Sequence, residues 1–194
     1  MDRDKSAVIR CFVAVEIPEP IQASLKPVQT HLQSHIHKGI SWTKFGNFHL
    51  TLKFLGDVYP DAIDNISEAI QHVTDTHPPF SIAFGGIGAF PNLARPRVIW
   101  MGIKQGASTI SRLAKAVNLE LTDLGFTTDN RFHPHLTLAR LRTATDLEPL
   151  KHILRKYDTI VGGSMRVNEI ALMQSQLRRN GAIYTPLSVC HFSA

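Results

Sequence analysis

The 194-residue chain has only two cysteines, Cys11 and Cys190. Two thiols so far apart cannot frame a disulfide scaffold, and their apolar, strand-like neighbours predict buried reduced thiols in a cytoplasmic protein. No apolar run reaches the roughly 18 residues that a membrane-spanning helix needs, so no membrane partner is expected. An apolar leader is missing too: Arg10 and Glu16 interrupt residues 8–17, which argues against a secretory signal. Charge blocks, low-complexity tracts and linkers are absent, which excludes a disordered or beaded chain. With 43% hydrophobic residues the chain can build its own core, and residues 1–194 are expected to form one monomeric unit.

Charge is only mildly one-sided. Lys plus Arg exceed Asp plus Glu by 21 − 16 = 5. That excess permits an anionic partner such as RNA without requiring one. Cationic pairs recur at Arg95/Arg97, Arg112/Lys115, Arg140/Arg142 and Arg178/Arg179. Each pair taken alone reads as solvated surface.

Apolar periodicity alternates between two and near four. Strands are predicted over residues 8–17, 48–55, 80–90, 97–103, 136–141, 165–173 and 183–189. Ile21, Leu25, Val28, Leu32 and Ile36 keep helical spacing, with Pro27 predicting a kink or a later start. Ile63, Ile66, Ile70 and Val73 mark a helix opened by Pro60-Asp61, and Ile110, Leu113, Val117, Leu121 and Leu124 mark one ended by Gly125. A short helix is predicted over residues 146–157 and a turn at 178–181. The Gly85-Gly86 pair predicts a bulge or bend in its strand. The fold class is α+β.

Ten histidines are unusual for this length, and two fall in a repeat. Phe48-His49-Leu50-Thr51-Leu52-Lys53-Phe54-Leu55 is echoed by Pro134-His135-Leu136-Thr137-Leu138-Ala139-Arg140-Leu141. The shared core is His-Leu-Thr-Leu, 135 − 49 = 86 residues apart. On a strand, His49 and Thr51 share one face and Leu50 and Leu52 the other, and the second copy repeats this. Two similar lobes related by a pseudo-two-fold axis would bring both polar faces to a central cleft. Two imidazoles there suit acid–base chemistry, since an unperturbed pKa near 6.5 lets one ring accept a proton while the other donates. Threonine hydroxyls can donate to non-bridging phosphate oxygens. No cofactor or metal is called for.

These motifs resemble the two-histidine (2H) phosphoesterases, and within them the LigT-like group. The resemblance begins at Phe12-Val13-Ala14-Val15-Glu16-Ile17 and includes Trp42 and both histidine motifs. It ends on Ser175, Leu177, Gly181 and Tyr184. It implies two similar lobes with antiparallel sheets flanked by helices. It also implies hydrolysis of an RNA 2′,3′-cyclic phosphodiester to a 2′-phosphomonoester, on RNA or an oligonucleotide bearing that end. His49 is then the proton donor to the leaving 3′-oxygen and His135 the base on water. Thr51 and Thr137 hold the phosphate. Arg140 matches an assisting arginine, but strand parity sets it opposite His135, so it reaches the cleft only past a bulge or strand end. The reverse reaction, 2′-5′ ligation, is implied by reversibility, although water at about 55 M favours hydrolysis. The alternative is a non-catalytic RNA- or nucleotide-binding module on the same scaffold, which would have no need for two matched titrating rings.

Other candidates are weaker. His133 and His135 have a metal-pair spacing, but Pro134 lies between them and no carboxylates are near, and His31 and His35, with His37 beyond, read as an exposed polar helix face sooner than a metal site. Lys53 shares parity with His49 and is expected to line the cleft or stand exposed. Phe45, Phe48 and Phe132 could stack a base, with core packing expected for Phe48. Tyr184 could cap the cleft or pack. The Gly85-Gly86-Ile87-Gly88 stretch lacks a phosphate-loop pattern and a following helix.

Overall fold

The computed structural model describes residues 8–36, 39–128, 131–142, 161–178 and 181–193. In chain order these give β1 (Ile9–Glu16), α1 (Glu19–Gln33), β2 (Ile40–Trp42), β3 (His49–Val58), α2 (Ile63–Asp75), β4 (Phe80–Phe90) and β5 (Val98–Gln105). Then come α3 (Ala107–Glu120), β6 (His135–Leu141), β7 (Val161–Val167), β8 (Glu169–Arg178) and β9 (Gly181–His191). The strands form two sheets, in orders β3-β1-β8-β9 and β2-β6-β5-β4-β7, with antiparallel pairing throughout. Setting β3 against β6 and β1 against β5 superimposes the two orders, apart from the extra edge strand β2. The two-lobed α+β reading therefore stands.

Apolar side chains explain the layers. Val13, Val15, Leu50 and Leu52 of the first sheet are buried, as are Ile99, Met101, Leu136 and Leu138 of the second. All belong to one apolar cluster that runs through both sheets. Helix α1 leaves the first sheet and packs on β7 of the second, whereas α3 leaves the second sheet and packs on β3 of the first. Helix α2 lies on β9 and against α3. Each lobe thus carries a helix that starts from the other.

Three details depart from periodicity. Pro27 lies inside α1, which runs unbroken from Glu19 to Gln33 with Pro20 in its first turn, where a missing N–H costs nothing. The predicted strand 165–173 is two strands in different sheets. Exposed Asn168 and Glu169 break the alternation, and the Asn168 carbonyl accepts from the Phe192 N–H at 2.9 Å. Helix α3 stops at Glu120 rather than Leu124, and turns lead to Gly125 at φ 87°. Edge strand β2, at three residues, was too short for a pattern to declare it. The predicted helix 146–157 lies outside the described residues. Register slips past Gly86, at φ 70°, which gives the predicted bulge. At Gly88 a Cβ would collide with the indole of Trp100, so glycine there is a seat for a ring, not part of a nucleotide loop.

Candidate active site

The motif strands β3 and β6 come from different sheets and lie against each other. Leu50, Leu52, Leu136 and Leu138 are buried behind them, while His49, Thr51, His135 and Thr137 remain partly open on the other side. The alternation read from sequence holds that far. Beyond it, both strands bulge at the same point of the repeat. Thr51 pairs with Ala14 and Lys53 with Val13, so Leu52 is the extra residue; Thr137 pairs with Trp100 and Ala139 with Ile99, so Leu138 is. A bulge reverses the parity of every residue beyond it. Arg140 therefore joins His49 and Thr137 on the cleft wall.

The bulge decides between the two readings of Lys53. Its side chain is only 6% exposed and turns to the helix side, where its ammonium donates to Asn118 Oδ1 and the Thr127 carbonyl, each at 2.7 Å. Lys53 therefore does not stand in solvent; it lines the recess that holds Thr51 and His135, with its ammonium engaged by Asn118 and the Thr127 carbonyl. Phe54 takes the opposite course: it stands 66% exposed beside His49 and Arg140. An unbroken strand would set it on the face of Leu50 and Leu52, and the repeat holds the clue that it does not lie there. Phe54 comes five residues after His49, as Arg140 comes five after His135, so a bulge that presents one presents the other.

Each catalytic candidate is fixed in the same way. Nδ1 of His49 lies 2.9 Å from the Asn47 carbonyl, and Nδ1 of His135 lies 2.7 Å from the His133 carbonyl. A carbonyl only accepts, so Nδ1 carries the proton in both neutral rings and Nε2 is left for chemistry. Aromatic rings wall them in. Phe12 and Tyr184 each stand 4.8 Å from His49, and Phe90 stands edge-on 4.9 Å from His135. Burial lowers the His49 pKa to about 4; the Asn47 carbonyl opposes this, and the positive charges of Arg140 and His135 add to it. His135 is also pushed below the ordinary histidine range, chiefly by burial, with the His133 carbonyl opposing and His133 and Arg140 adding. Both rings are therefore neutral at pH 7 in the empty cleft, which corrects the expectation of one charged and one neutral.

The cleft has distinct arms that meet at His49 and Arg140. One, about 400 Å³, is walled by Phe12, Phe54, Leu177 and Tyr184, with Arg10 at its side. The other, about 570 Å³, holds Trp42, Lys44, Thr137, Arg142 and Arg178. A third recess of about 280 Å³ joins Thr51, Phe54 and His135. Tyr184 thus packs on His49 and lines the cleft at once.

The remaining candidates separate. Phe48 is buried, Phe45 is exposed outside these arms, and Phe132 lines the third recess. His31 and His35 stack at 4.7 Å on an exposed face. His133 packs on Trp100 at 4.9 Å. Among the described residues, no group of three or more His, Cys, Asp or Glu could hold a metal ion. No described helix is long and apolar enough to cross a membrane. Both cysteines are buried and unpaired, and burial raises the Cys11 thiol to about 11.

Comparisons agree with this geometry. The chain is 38% identical over 181 residues to the RNA 2′,3′-cyclic phosphodiesterase of Archaeoglobus fulgidus, covering 93% of this chain and 99% of that one. A Thermus thermophilus protein superposes at TM-score 0.80 with 26% identity, over 95% of this chain and 98% of that one. Escherichia coli LigT in complex with 3′-AMP superposes at 0.75 with 25% identity, over 96% and 99%. The family model described as LigT like phosphoesterase matches residues 15–100 and 102–184. With nearly all of its length matched and both histidine motifs on facing strands, the chain belongs to the LigT-like phosphoesterases.

Proposed function

We propose that the protein hydrolyses the 2′,3′-cyclic phosphate at an RNA end to a 2′-phosphomonoester. The observation that carries this reading is the matched pair of imidazoles, each with Nδ1 bound to the carbonyl two residues before it. His49 lines the cleft beside Arg140 and Thr137, His135 lines the adjoining recess with Thr51, and the two rings lie near enough for the charge of His135 to act on His49. The reaction needs one base, one acid and a cation for the phosphate, and no covalent intermediate.

His135 Nε2 takes a proton from water as the water oxygen attacks phosphorus. The bond from phosphorus to the 3′-oxygen breaks, and protonated His49 Nε2 supplies the proton that this oxygen needs. The phosphate stays on the 2′-oxygen. Exchange with solvent then returns each ring to its starting state. His49 must be protonated to act, although it is neutral in the empty protein. The substrate supplies the missing bias, because its anionic phosphate raises the pKa of both rings as it binds. Arg140 and the hydroxyls of Thr51 and Thr137 stabilise the charge that grows on the non-bridging oxygens. The exposed ring of Phe54 offers a flat face for the terminal base. The 3′-AMP bound to the Escherichia coli relative is a ligand of the expected kind, a nucleotide with phosphate on its ribose.

The test is product analysis on an oligonucleotide with a 2′,3′-cyclic end, with EDTA present. A 2′-phosphate is expected. Mainly 3′-phosphate would mean that the two histidines have exchanged roles, and dependence on added divalent metal would overturn the mechanism.

A further inference from the structure

The two imidazoles are gripped alike, yet what stands behind each grip differs. His135 leans on packing. Pro134 follows the gripping carbonyl of His133, and the His133 ring is wedged against Trp100 at 4.9 Å and Phe90 at 5.4 Å. His49 leans on hydrogen bonds instead. The Asn47 carbonyl that takes its Nδ1–H closes a tight turn, in which the Asn47 N–H donates to the Lys44 carbonyl at 3.0 Å and Gly46 adopts φ 86°. The Asn47 side-chain amide donates to the Ala182 carbonyl of β9 at 2.8 Å. Two residues further along β9 stands Tyr184, whose ring packs edge-on against His49. Asn47 thus ties together the carbonyl and the aromatic wall that hold one imidazole.

Behind the turn stands Gln22 of α1, only 6% exposed and outside the arms of the cleft. Its amide nitrogen donates to the Ile17 carbonyl at 2.6 Å, and its amide oxygen accepts from the Gly46 N–H at 2.7 Å. The Ile17 N–H in turn reaches the Phe48 carbonyl at 3.4 Å. The peptide that presents the Asn47 carbonyl is therefore clasped from both ends. Gln22 shares the buried face of α1 with Ile21, Leu25, Val28 and Leu32. An apolar side chain would fill such a bed without the cost of desolvating an amide. What the amide adds is direction. We infer that Asn47 and Gln22 are positioning residues for the proton donor: acting through the Asn47 carbonyl, they hold the His49 ring with Nδ1–H inward and Nε2 toward the 3′-oxygen. Without that hold a neutral imidazole carries its proton on either nitrogen, and only the Nδ1–H form can be recharged at the nitrogen that faces the leaving oxygen. The inference rests on the reading of His49 as proton donor in the proposed hydrolysis.

The experiment reads the ring and the rate separately. Nitrogen-15 NMR spectra of histidine-labelled protein at pH 7 show which nitrogen carries the proton, the His49 signals being those lost in His49→Gln. The unaltered protein should show the Nδ1–H form alone. Asn47→Ala removes the side-chain bond and leaves the carbonyl, and Gln22→Met removes both amide bonds at a position that lines no arm of the cleft. Each variant should show a mixture of the two forms. Each should also lower kcat for a nucleoside 2′,3′-cyclic phosphate by about tenfold with KM within twofold, the size of one ordinary hydrogen bond felt only in the transition state. The Nδ1–H form alone in both variants would overturn the inference. A slow Asn47→Ala beside a Gln22→Met with full activity would also overturn it, because Asn47 would then be acting on the substrate directly. If the buried Gln22→Met fails to fold, the tautomer ratio of Asn47→Ala decides by itself. No cleavage by the unaltered protein would overturn the hydrolysis reading, while the spectra would still decide whether these two side chains hold the ring.

Discussion

A neutral buried imidazole makes stability depend on acid, and His49 is the ring to test. It titrates near 6.5 in an unfolded chain and at about 4 in the folded one. Between those values the unfolded chain holds a proton that the folded chain lacks, so folding stability falls as pH falls. At about 1.36 kcal/mol per pKa unit, the whole effect is about 3 kcal/mol, and about 2 kcal/mol of it is lost between pH 7 and pH 5. That is a sizeable share of the roughly 5–15 kcal/mol that holds a domain folded. The perturbation is His49→Gln, which keeps a polar side chain of similar reach but cannot titrate. Urea denaturation of both proteins at pH 7, 6 and 5 gives two curves of stability against pH. The wild-type curve should be the steeper, by about 2 kcal/mol over that range, whatever the variant loses at pH 7. His135 and other groups titrate in both proteins and cancel. Parallel curves would show that His49 is solvated like an ordinary histidine, and would refute the claim that Phe12 and Tyr184 dry its surroundings.

The site leads to four further expected outcomes. His49→Ala and His135→Ala should each slow hydrolysis by about 10²- to 10⁴-fold, and the double variant by far less than the product, measured by single-turnover kinetics. The profile of kcat/KM should peak below pH 6.5 and fall above it, because protonated His49 becomes scarce in the free protein; the kcat profile should lie at higher pH, where bound phosphate supports that proton. Arg140→Ala should cost about 10²- to 10³-fold, at least as much as Thr51→Val or Thr137→Val; a mild effect would mean that the bulge at Leu138 does not bring Arg140 to the phosphate. Lys53→Met should lower stability by about 2–4 kcal/mol in urea denaturation, since it strips a charged donor from Asn118 and the Thr127 carbonyl; a change under about 0.5 kcal/mol would show that the buried bonds do not hold.

The limits of reading this chain from its residues lie at particular positions. His49, Thr51, His135 and Thr137 were legible because a strand of period two needs only local spacing, and the repeat supplied the second copy. Arg140 was legible only through the family resemblance and on condition of a bulge, and the directions of Phe54 and Lys53 were not legible, because each of the three lies past a bulge. A bulge inserts one residue where neighbouring strands demand it, so Ala14 and Trp100, far off in sequence, decide which way these three side chains point. The break at Asn168 is of the same kind, since the local pattern is strand-like on both sides and only the partner strands differ. The convergence of Lys44, Arg142 and Arg178 was hidden for a simpler reason. Surface charge has no period, so the placement of Lys44, Arg142 and Arg178 along one arm is set by the fold and cannot be read from spacing.

The exchange of helices between the lobes bears on how substrate is admitted. A two-lobed enzyme with its site between the lobes is often a jaw, in which a few backbone torsions let one half swing on the other. Here the chain passes from one sheet to the other between β1 and β2, β2 and β3, β3 and β4, and again at Asn168, and α1 and α3 are each pinned to the sheet they did not start from. Any swing would have to peel an apolar helix from its bed. The placement of β3 against β6, which carry His49 and His135, is therefore held by the same packing that holds the fold together. On the proposed reading, an RNA end then meets a site already assembled by the fold, not one completed by a closing motion.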